Sequence, residues 1–177
     1  MRLKFVVLSM LTAVAAAQPM VIKTTALFDG RGHMLRNQLI TIENGRITRV
    51  SPTRGKSNID LSGLTVMPGW IDTHVHPTWY FKSDGKLELG GAGSKSTPQQ
   101  AALSAAANLH ATVMGGFTTV QSVGAAFDAD LRDFINRGAL AGPRLLTSLA
   151  QITERSGDPA QIRALVDQLK AQGTDVI

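Results

Sequence analysis

The chain has 177 residues, of which 44% are hydrophobic and 18% are charged, and its formal net charge is +5. This length is enough to bury one core, so one domain, or a domain with a small appendage, is expected. The basic residues form no run and no stripe interleaved with aromatic residues, which argues against nucleic acid as a partner. The absence of cysteine excludes a disulfide framework and any zinc site built from thiolates.

Residues 1–17 have the pattern of a cleavable secretory signal peptide. Arg2 and Lys4 form a charged start, an apolar segment covers residues 5–14, and small residues then offer a cleavage site after Ala17. The apolar segment is too short to remain as a permanent membrane span, and a buried N-terminal helix is the alternative reading. With no cysteine for lipid attachment, the sequence predicts a periplasmic or secreted protein.

The segment 18–66 is rich in strand patterns and turn signals. Asn44-Gly45 is the strongest of these signals, because both residues tolerate the positive φ that a tight hairpin turn requires. We expect a small antiparallel sheet here. Its predicted strands cover residues 20–28, 38–43, 46–50, 59–61 and 64–66.

From Gly69 onwards the pattern alternates between strands and helices. This order predicts right-handed crossovers and a parallel sheet, which makes the chain an α/β protein. The fourth predicted strand is only beginning where the sequence stops. The predicted strands begin near residues 70, 117, 144 and 174, and the predicted helices cover about 98–114, 128–137 and 159–172.

The stretch 67–77 holds the residues best suited to chemistry. Read as a strand, its alternation puts Asp72, His74 and His76 on one face. Two histidines spaced by one residue on a strand can direct their ring nitrogens at a single point, as a divalent metal ion requires of two ligands. Pro77 cannot extend the ladder, so both histidines are expected at the C-terminal tip of this strand. Isolated histidines are weaker signals, and for His33 and His110 a surface or packing role is expected.

Residues 68–76, with the sequence Pro-Gly-Trp-Ile-Asp-Thr-His-Val-His, resemble the Pro-Gly-x-Ile-Asp-x-His-x-His signature of the amidohydrolase superfamily. Gly-Phe-Thr-Thr-Val at 116–120 and Gly-Pro-Arg at 142–144 resemble the entries to the family's second and third barrel strands. The closest resemblance is to the imidazolonepropionase and Xaa-Pro dipeptidase-like branch. This resemblance implies an N-terminal β-sandwich portion over 18–66 and, over 67–177, the first three to four strands of a partial TIM (β/α)8 barrel. The chain would then be the N-terminal part of a longer protein.

The resemblance also implies a metal-dependent hydrolase that cleaves non-peptide or dipeptide C–N bonds through a metal-activated water. His74 and His76 would be metal ligands, with zinc, as one or two ions, the expected metal. Asp72 would be a hydrogen-bond partner behind the ligands or a structural acid. The remaining ligands and the general base would lie beyond Ile177, so no catalytic residue is expected within the chain. Gln121-Ser122 stands where the family often has Arg-Asp, which leaves the substrate subgroup open.

Two alternatives stay open at this point. The same site would suit a metal-dependent esterase or phosphoesterase, since metal-bound water serves either reaction. The 177 residues alone would form a non-catalytic truncated module. A small molecule is the expected substrate and a homo-oligomer is left open. The aromatic residues 79–81 would either contact substrate or pack at the barrel rim.

Overall fold

A computed structural model of the chain describes residues 18–89 and 95–177. The predicted signal peptide, residues 1–17, lies outside the described residues. The chain forms two compact units, Met1–Pro68 and Gly69–Ile177. In the described part of the chain, no helix is both long enough and apolar enough to cross a membrane.

The first unit contains a four-stranded sheet. Its strands are β1 (Met20–Phe28), β2 (Met34–Glu43), β3 (Arg46–Pro52) and β4 (Ile59–Val66). Their order across the sheet is β3-β2-β1-β4. The hairpin between β2 and β3 turns at Asn44 and Gly45, whose φ values of 51° and 72° confirm the predicted turn. β4 lies parallel to β1, whereas the other two pairings are antiparallel. The prediction of an antiparallel sheet is therefore wrong for β4.

Contacts between distant residues determine the direction of β4. The backbone N–H of Asn58 donates to the carbonyl of Val21 at 2.9 Å, and its side-chain oxygen accepts from the Val21 N–H at 2.7 Å. Lys23 and Asp60 then form an ion pair of 3.1 Å between β1 and β4. Because these partners lie 37 residues apart, the local pattern of β4 could not reveal which edge it would join.

Hydrogen bonds lower the pKa values of two carboxylates in the first unit. The Arg31 N–H, followed by the His33 side chain, lowers the pKa of Asp29 to about 2. The Ser62 hydroxyl and N–H, followed by the Lys23 ammonium, lower the pKa of Asp60 to about 2. Both carboxylates are therefore charged in the folded state well below pH 4.

The second unit alternates strands and helices, as the sequence predicts. Its elements are β5 (Trp70–Val75), β6 (Tyr80–Phe81), β7 (Leu87–Glu88), α1 (Pro98–Met114), β8 (Phe117–Ser122), α2 (Asp128–Asn136), β9 (Arg144–Thr147), a 3-10 turn (Glu154–Ser156) and α3 (Pro159–Ala171). The three-stranded sheet has the order β5-β8-β9, and both pairings are parallel. A short hairpin, β6–β7, comes between β5 and α1.

The core of the second unit lies between one face of the sheet and helices α1 and α2. No residue of this core is more than 5% exposed. Burial of such aliphatic side chains is the main favourable term in folding. The packing fixes the helices against the strands and so fixes the positions of the strand ends. The core residues are Ala105, Leu109, Val120, Leu131 and Leu145.

The predicted fourth strand, residues 174–177, is not a strand in the structure. The Asp175 N–H does donate to the Thr147 carbonyl at 2.9 Å, as a neighbouring strand would. However, the Thr147 N–H donates to the Asp175 carboxylate at 3.0 Å, and Arg132 donates to the same oxygen at 2.6 Å. The Asp175 side chain therefore accepts the hydrogen bond of a backbone N–H at the end of β9. The described sheet has three strands.

Candidate metal centre

Strand β5 carries His74, His76 directly follows its last residue, and the strand contains a β-bulge around His74. Asp72 pairs with Val120 and Val75 pairs with Ser122, so β5 has one more residue than β8 over this stretch. Within the bulge, the Asp72 Oδ1 atom accepts a hydrogen bond of 3.0 Å from the backbone N–H of His74. The carboxylate thus fixes the backbone from which the first imidazole projects.

The bulge changes the face on which Asp72 lies. Paired residues on neighbouring strands direct their side chains to the same face, and Val120, the partner of Asp72, is buried in the core against the helices. Asp72 therefore shares the helix side of the sheet with Val75, and the regular alternation predicted from Asp72 to the histidines is interrupted. Its role as a hydrogen-bond partner behind the metal ligands stays a prediction; the bond that it makes is to the His74 backbone.

The rings of His74 and His76 meet edge to face at the end of β5. Their centroids are 5.4 Å apart and their planes are inclined by 73°. Zinc lies about 2.0–2.1 Å from each histidine nitrogen in a tetrahedral site, which places two bound rings with their centroids roughly 5 Å apart. The spacing of these two rings therefore fits two ligands of one zinc ion.

The surroundings of His76 favour the neutral form that a metal ligand requires. Partial burial lowers its pKa below 6.5, the neighbouring His74 lowers the pKa further, and the Asp128 carboxylate acts in the opposite direction. A neutral ring keeps an in-plane lone pair available for coordination near pH 7. In residues 18–89 and 95–177 no group of three or more His, Asp or Glu side chains is arranged to hold a metal ion. The described chain thus offers two imidazoles and no third ligand.

Asp128, which no sequence pattern singles out, links the ends of strands β8 and β9. Its side chain is fully buried at the start of α2. The Oδ2 atom accepts hydrogen bonds from the Ser122 hydroxyl (2.7 Å), the Ala125 N–H (2.9 Å) and the Thr147 hydroxyl (3.2 Å). This network leaves no pattern in the sequence, because an Asp at a helix start is ordinary and its hydroxyl partners come from two different strands.

The side chains of the aromatic residues 79–81 have three different surroundings. Trp79 stacks on His76, with ring centroids 3.8 Å apart and planes inclined by only 5°. The Tyr80 hydroxyl lies 2.5 Å from the Ser96 Oγ atom, whereas Phe81 is 75% exposed. Behind them a groove of about 700 Å³ separates β5 and the β6–β7 hairpin from α1, and its lining includes Asp72, His76 and Tyr80. The groove reaches one of the imidazoles.

The two other histidines sit elsewhere on the chain. In the first unit, the His33 Nδ1 atom lies 3.0 Å from the Asp29 Oδ2 atom in the loop that follows β1. His110 is exposed on α1. Both are exposed, which agrees with the surface role expected for isolated histidines.

Three comparisons place these features among known proteins. The model of the amidohydrolase family matches residues 65–177. An allantoinase from Solibacter usitatus is 32% identical over 120 residues, covering 65% of this chain and 21% of the allantoinase. An imidazolonepropionase from Picrophilus torridus is 32% identical over 85 residues, covering 39% of this chain and 22% of that enzyme.

A solved structure of an Xaa-Pro dipeptidase with methionine bound in the active site superposes with a TM-score of 0.76 at 26% identity. The match covers 89% of this chain and 46% of the dipeptidase. The chain thus spans less than half the length of each of these relatives. The family model covers the β5 histidines and the whole strand–helix alternation that follows them, and the chain therefore belongs to the amidohydrolase family.

Proposed function

We propose that this chain supplies the first two ligands of the metal centre in a hydrolase that cleaves non-peptide or dipeptide C–N bonds. The observation that carries the proposal is the pair of adjacent imidazoles at the tip of β5, with centroids 5.4 Å apart. The relatives named an allantoinase, an imidazolonepropionase and an Xaa-Pro dipeptidase support C–N bond cleavage as the reaction class. Zinc, as one or two ions, is the proposed metal.

Each residue of the site has a defined task in this proposal. His74 and His76 would hold the ion through ring nitrogens, and Asp72 fixes the His74 backbone through its 3.0 Å hydrogen bond. A bound divalent ion would activate water and polarise the carbonyl of the scissile bond. Asp128 fixes the ends of β8 and β9 through Ser122 and Thr147.

We further propose that the 177 residues alone do not turn over substrate. A catalytic zinc site uses three protein ligands and keeps one position open, and the described residues bring together only two imidazoles. Strand β5 is an edge of the described sheet, with β8 on one side only. Further strands of a (β/α) barrel would pair with its free edge and supply the remaining ligands and the general base.

The proposal is tested by measuring the zinc content and the activity of the protein in its longest natural form, which includes every residue that its natural coding sequence supplies. His74→Ala and His76→Ala should each abolish stoichiometric zinc and hydrolysis of a panel of amides and dipeptides. His33→Ala and His110→Ala, which remove histidines away from the imidazole pair, should leave the zinc content unchanged. Full zinc content and activity in either of the first two variants would refute the assignment. Activity on lactones or phosphotriesters in place of amides would favour the esterase or phosphoesterase alternative.

We also propose that the protein is exported, with residues 1–17 removed. The charged start and the apolar segment before Ala17 support this proposal. Expression in a bacterium, followed by fractionation and mass spectrometry, should find the mature chain outside the cytoplasm and starting at Gln18. A cytoplasmic protein that keeps Met1 would contradict it.

A further inference from the structure

The indole of Trp79 covers one face of the His76 ring. The centroid distance is 3.8 Å and the planes are nearly parallel. An imidazole coordinates a metal through a lone pair that lies in the ring plane, so a stacked indole leaves both ring nitrogens accessible while it restricts rotation of the ring. A ring bound to a cation also becomes more positive, which strengthens its attraction to an aromatic face. The stack therefore favours both the orientation and the charge of a bound ligand.

Helix α1 holds this stack in place through one side chain. Asn108 donates from its Nδ2 atom to the Pro77 carbonyl at 2.8 Å and to the Trp79 carbonyl at 2.6 Å. The Trp79 N–H in turn donates to the His76 carbonyl at 3.0 Å. Pro77 is buried, and it cannot contribute an N–H to any ladder. The turn that carries Trp79 is thus tied to α1 at two carbonyls by one amide.

The chemistry of this tie suits a side-chain amide. An amide NH₂ group has two donors, which match the two carbonyl acceptors, whereas a carboxylate would place a third acceptor against them. The position on α1 is also rigid, because the next residue, Leu109, is 2% exposed in the core. A rigid donor that meets two acceptors fixes the turn more strictly than a hydrogen bond within the loop could.

We infer that Asn108 is a positioning residue for the metal centre: through the turn at 77–79 and the Trp79 indole it sets the plane of the His76 ring. This inference rests on the proposed function, in which His76 is a ligand. It predicts that Asn108 controls the affinity for zinc although it contacts neither the metal nor His76.

A tryptophan reporter and a zinc titration test the inference together. The chain has two tryptophans, so a Trp70→Phe background leaves Trp79 as the sole reporter. In that background His76→Ala should raise the Trp79 emission, because it removes the stacked quencher, and Asn108→Ala should produce a similar rise. Gln99→Ala, which removes an exposed amide from the same helix, should leave the emission as it is.

Zinc affinity is then measured in the full chain by competition with a chromophoric chelator. Asn108→Ala should weaken zinc binding about tenfold, the loss typical of removing a residue that orients a metal ligand, and Gln99→Ala should change it less than about twofold. If Asn108→Ala does not fold, Trp79→Leu should show the same weakening, and Trp79→Phe, which retains an aromatic face, should restore most of the affinity.

The outcomes separate this inference from the proposed function. Zinc binding by the wild-type chain with unchanged affinity in Asn108→Ala, or in Trp79→Leu, would overturn the positioning role and leave the metal centre standing. A change in Trp79 emission without a change in affinity would reduce Asn108 to a structural tie and overturn the inference. No zinc binding by the wild-type protein in its longest natural form would overturn both.

Discussion

Replacing Asp128 by alanine tests whether its buried carboxylate holds the ends of β8 and β9 together. The side chain is fully buried, and its Oδ2 atom accepts three hydrogen bonds, at 2.7, 2.9 and 3.2 Å. Asp128→Ala removes the shared acceptor, so the hydroxyls of Ser122 and Thr147 and the Ala125 N–H lose it where water cannot replace it. The expected result is a large loss of stability with no change at the surface.

The magnitude follows from the three bonds and two corrections. Hydrogen bonds to a charged group contribute about 1.5–3 kcal/mol each. The two hydroxyls can rotate toward other acceptors, which favours the lower end, and the Oδ1 atom of Asp128 has no partner among the described residues, so removing it relieves some desolvation cost. We therefore expect a decrease of about 4 kcal/mol in the free energy of unfolding.

Asp128→Asn separates the hydrogen bonds from the charge. The amide oxygen can keep the three donors, but the new NH₂ group replaces the unpartnered Oδ1 atom and needs acceptors. We expect a decrease of about 2 kcal/mol. This variant also serves as the readout if Asp128→Ala is unfolded, since about 4 kcal/mol approaches the total stability of a small protein.

Urea unfolding followed by tryptophan fluorescence is the assay, because Trp70 and Trp79 both belong to the second unit. With a slope of about 2 kcal/mol/M, the midpoint for Asp128→Ala should fall by about 2 M. Asp130→Ala is the matched control: it lies in the same first turn of α2 but is exposed, so it should cost less than about 1 kcal/mol. Equal midpoints for Asp128→Ala and Asp130→Ala would refute the reasoning.

Two further predictions concern backbone conformation and pH. Gly124→Ala places a Cβ atom 2.9 Å from the Ala150 backbone at a φ of 120° and should cost about 3 kcal/mol, whereas Gly138→Ala, with a φ of 72° and open space, should cost about 1 kcal/mol in the same urea assay. Because the folded-state pKa values of Asp29 and Asp60, about 2, lie below 3.8, the first unit should be fully stabilised above pH 4 and lose that stabilisation as the pH falls towards 2. Asp29→Asn and Asp60→Asn should flatten this dependence in acid-unfolding curves, and an unchanged dependence in both would contradict it.

The sequence predicts those parts of the fold whose causes are local. The Asn44-Gly45 turn, the strand–helix alternation and the paired histidines of β5 each depend on residues within a few positions of one another. The start of α1 does too: the Thr97 hydroxyl accepts from the Gln100 N–H, and the Gln100 side chain accepts from the Thr97 N–H. Local interactions are therefore enough to predict such features.

The features that the sequence did not predict depend on contacts between distant residues. β4 lies parallel to β1 with Asn58 bonded to Val21, and the Asp175 carboxylate accepts from the Thr147 N–H at the end of β9. The bulge in β5 is visible only once β8 is paired beside it. None of these three features produces a periodic pattern in the sequence.

The candidate site depends both on a local sequence motif and on a contact between distant residues. The His-x-His motif places two imidazoles close together at the end of a strand. The plane of one ring, however, depends on Asn108, which lies 31 residues from Pro77. Leu109, the neighbour of Asn108 on α1, is a core residue. A core substitution that shifts α1 along its axis would therefore move the two carbonyl ties and the indole together, so packing and ligand orientation in this unit are coupled through a single helix.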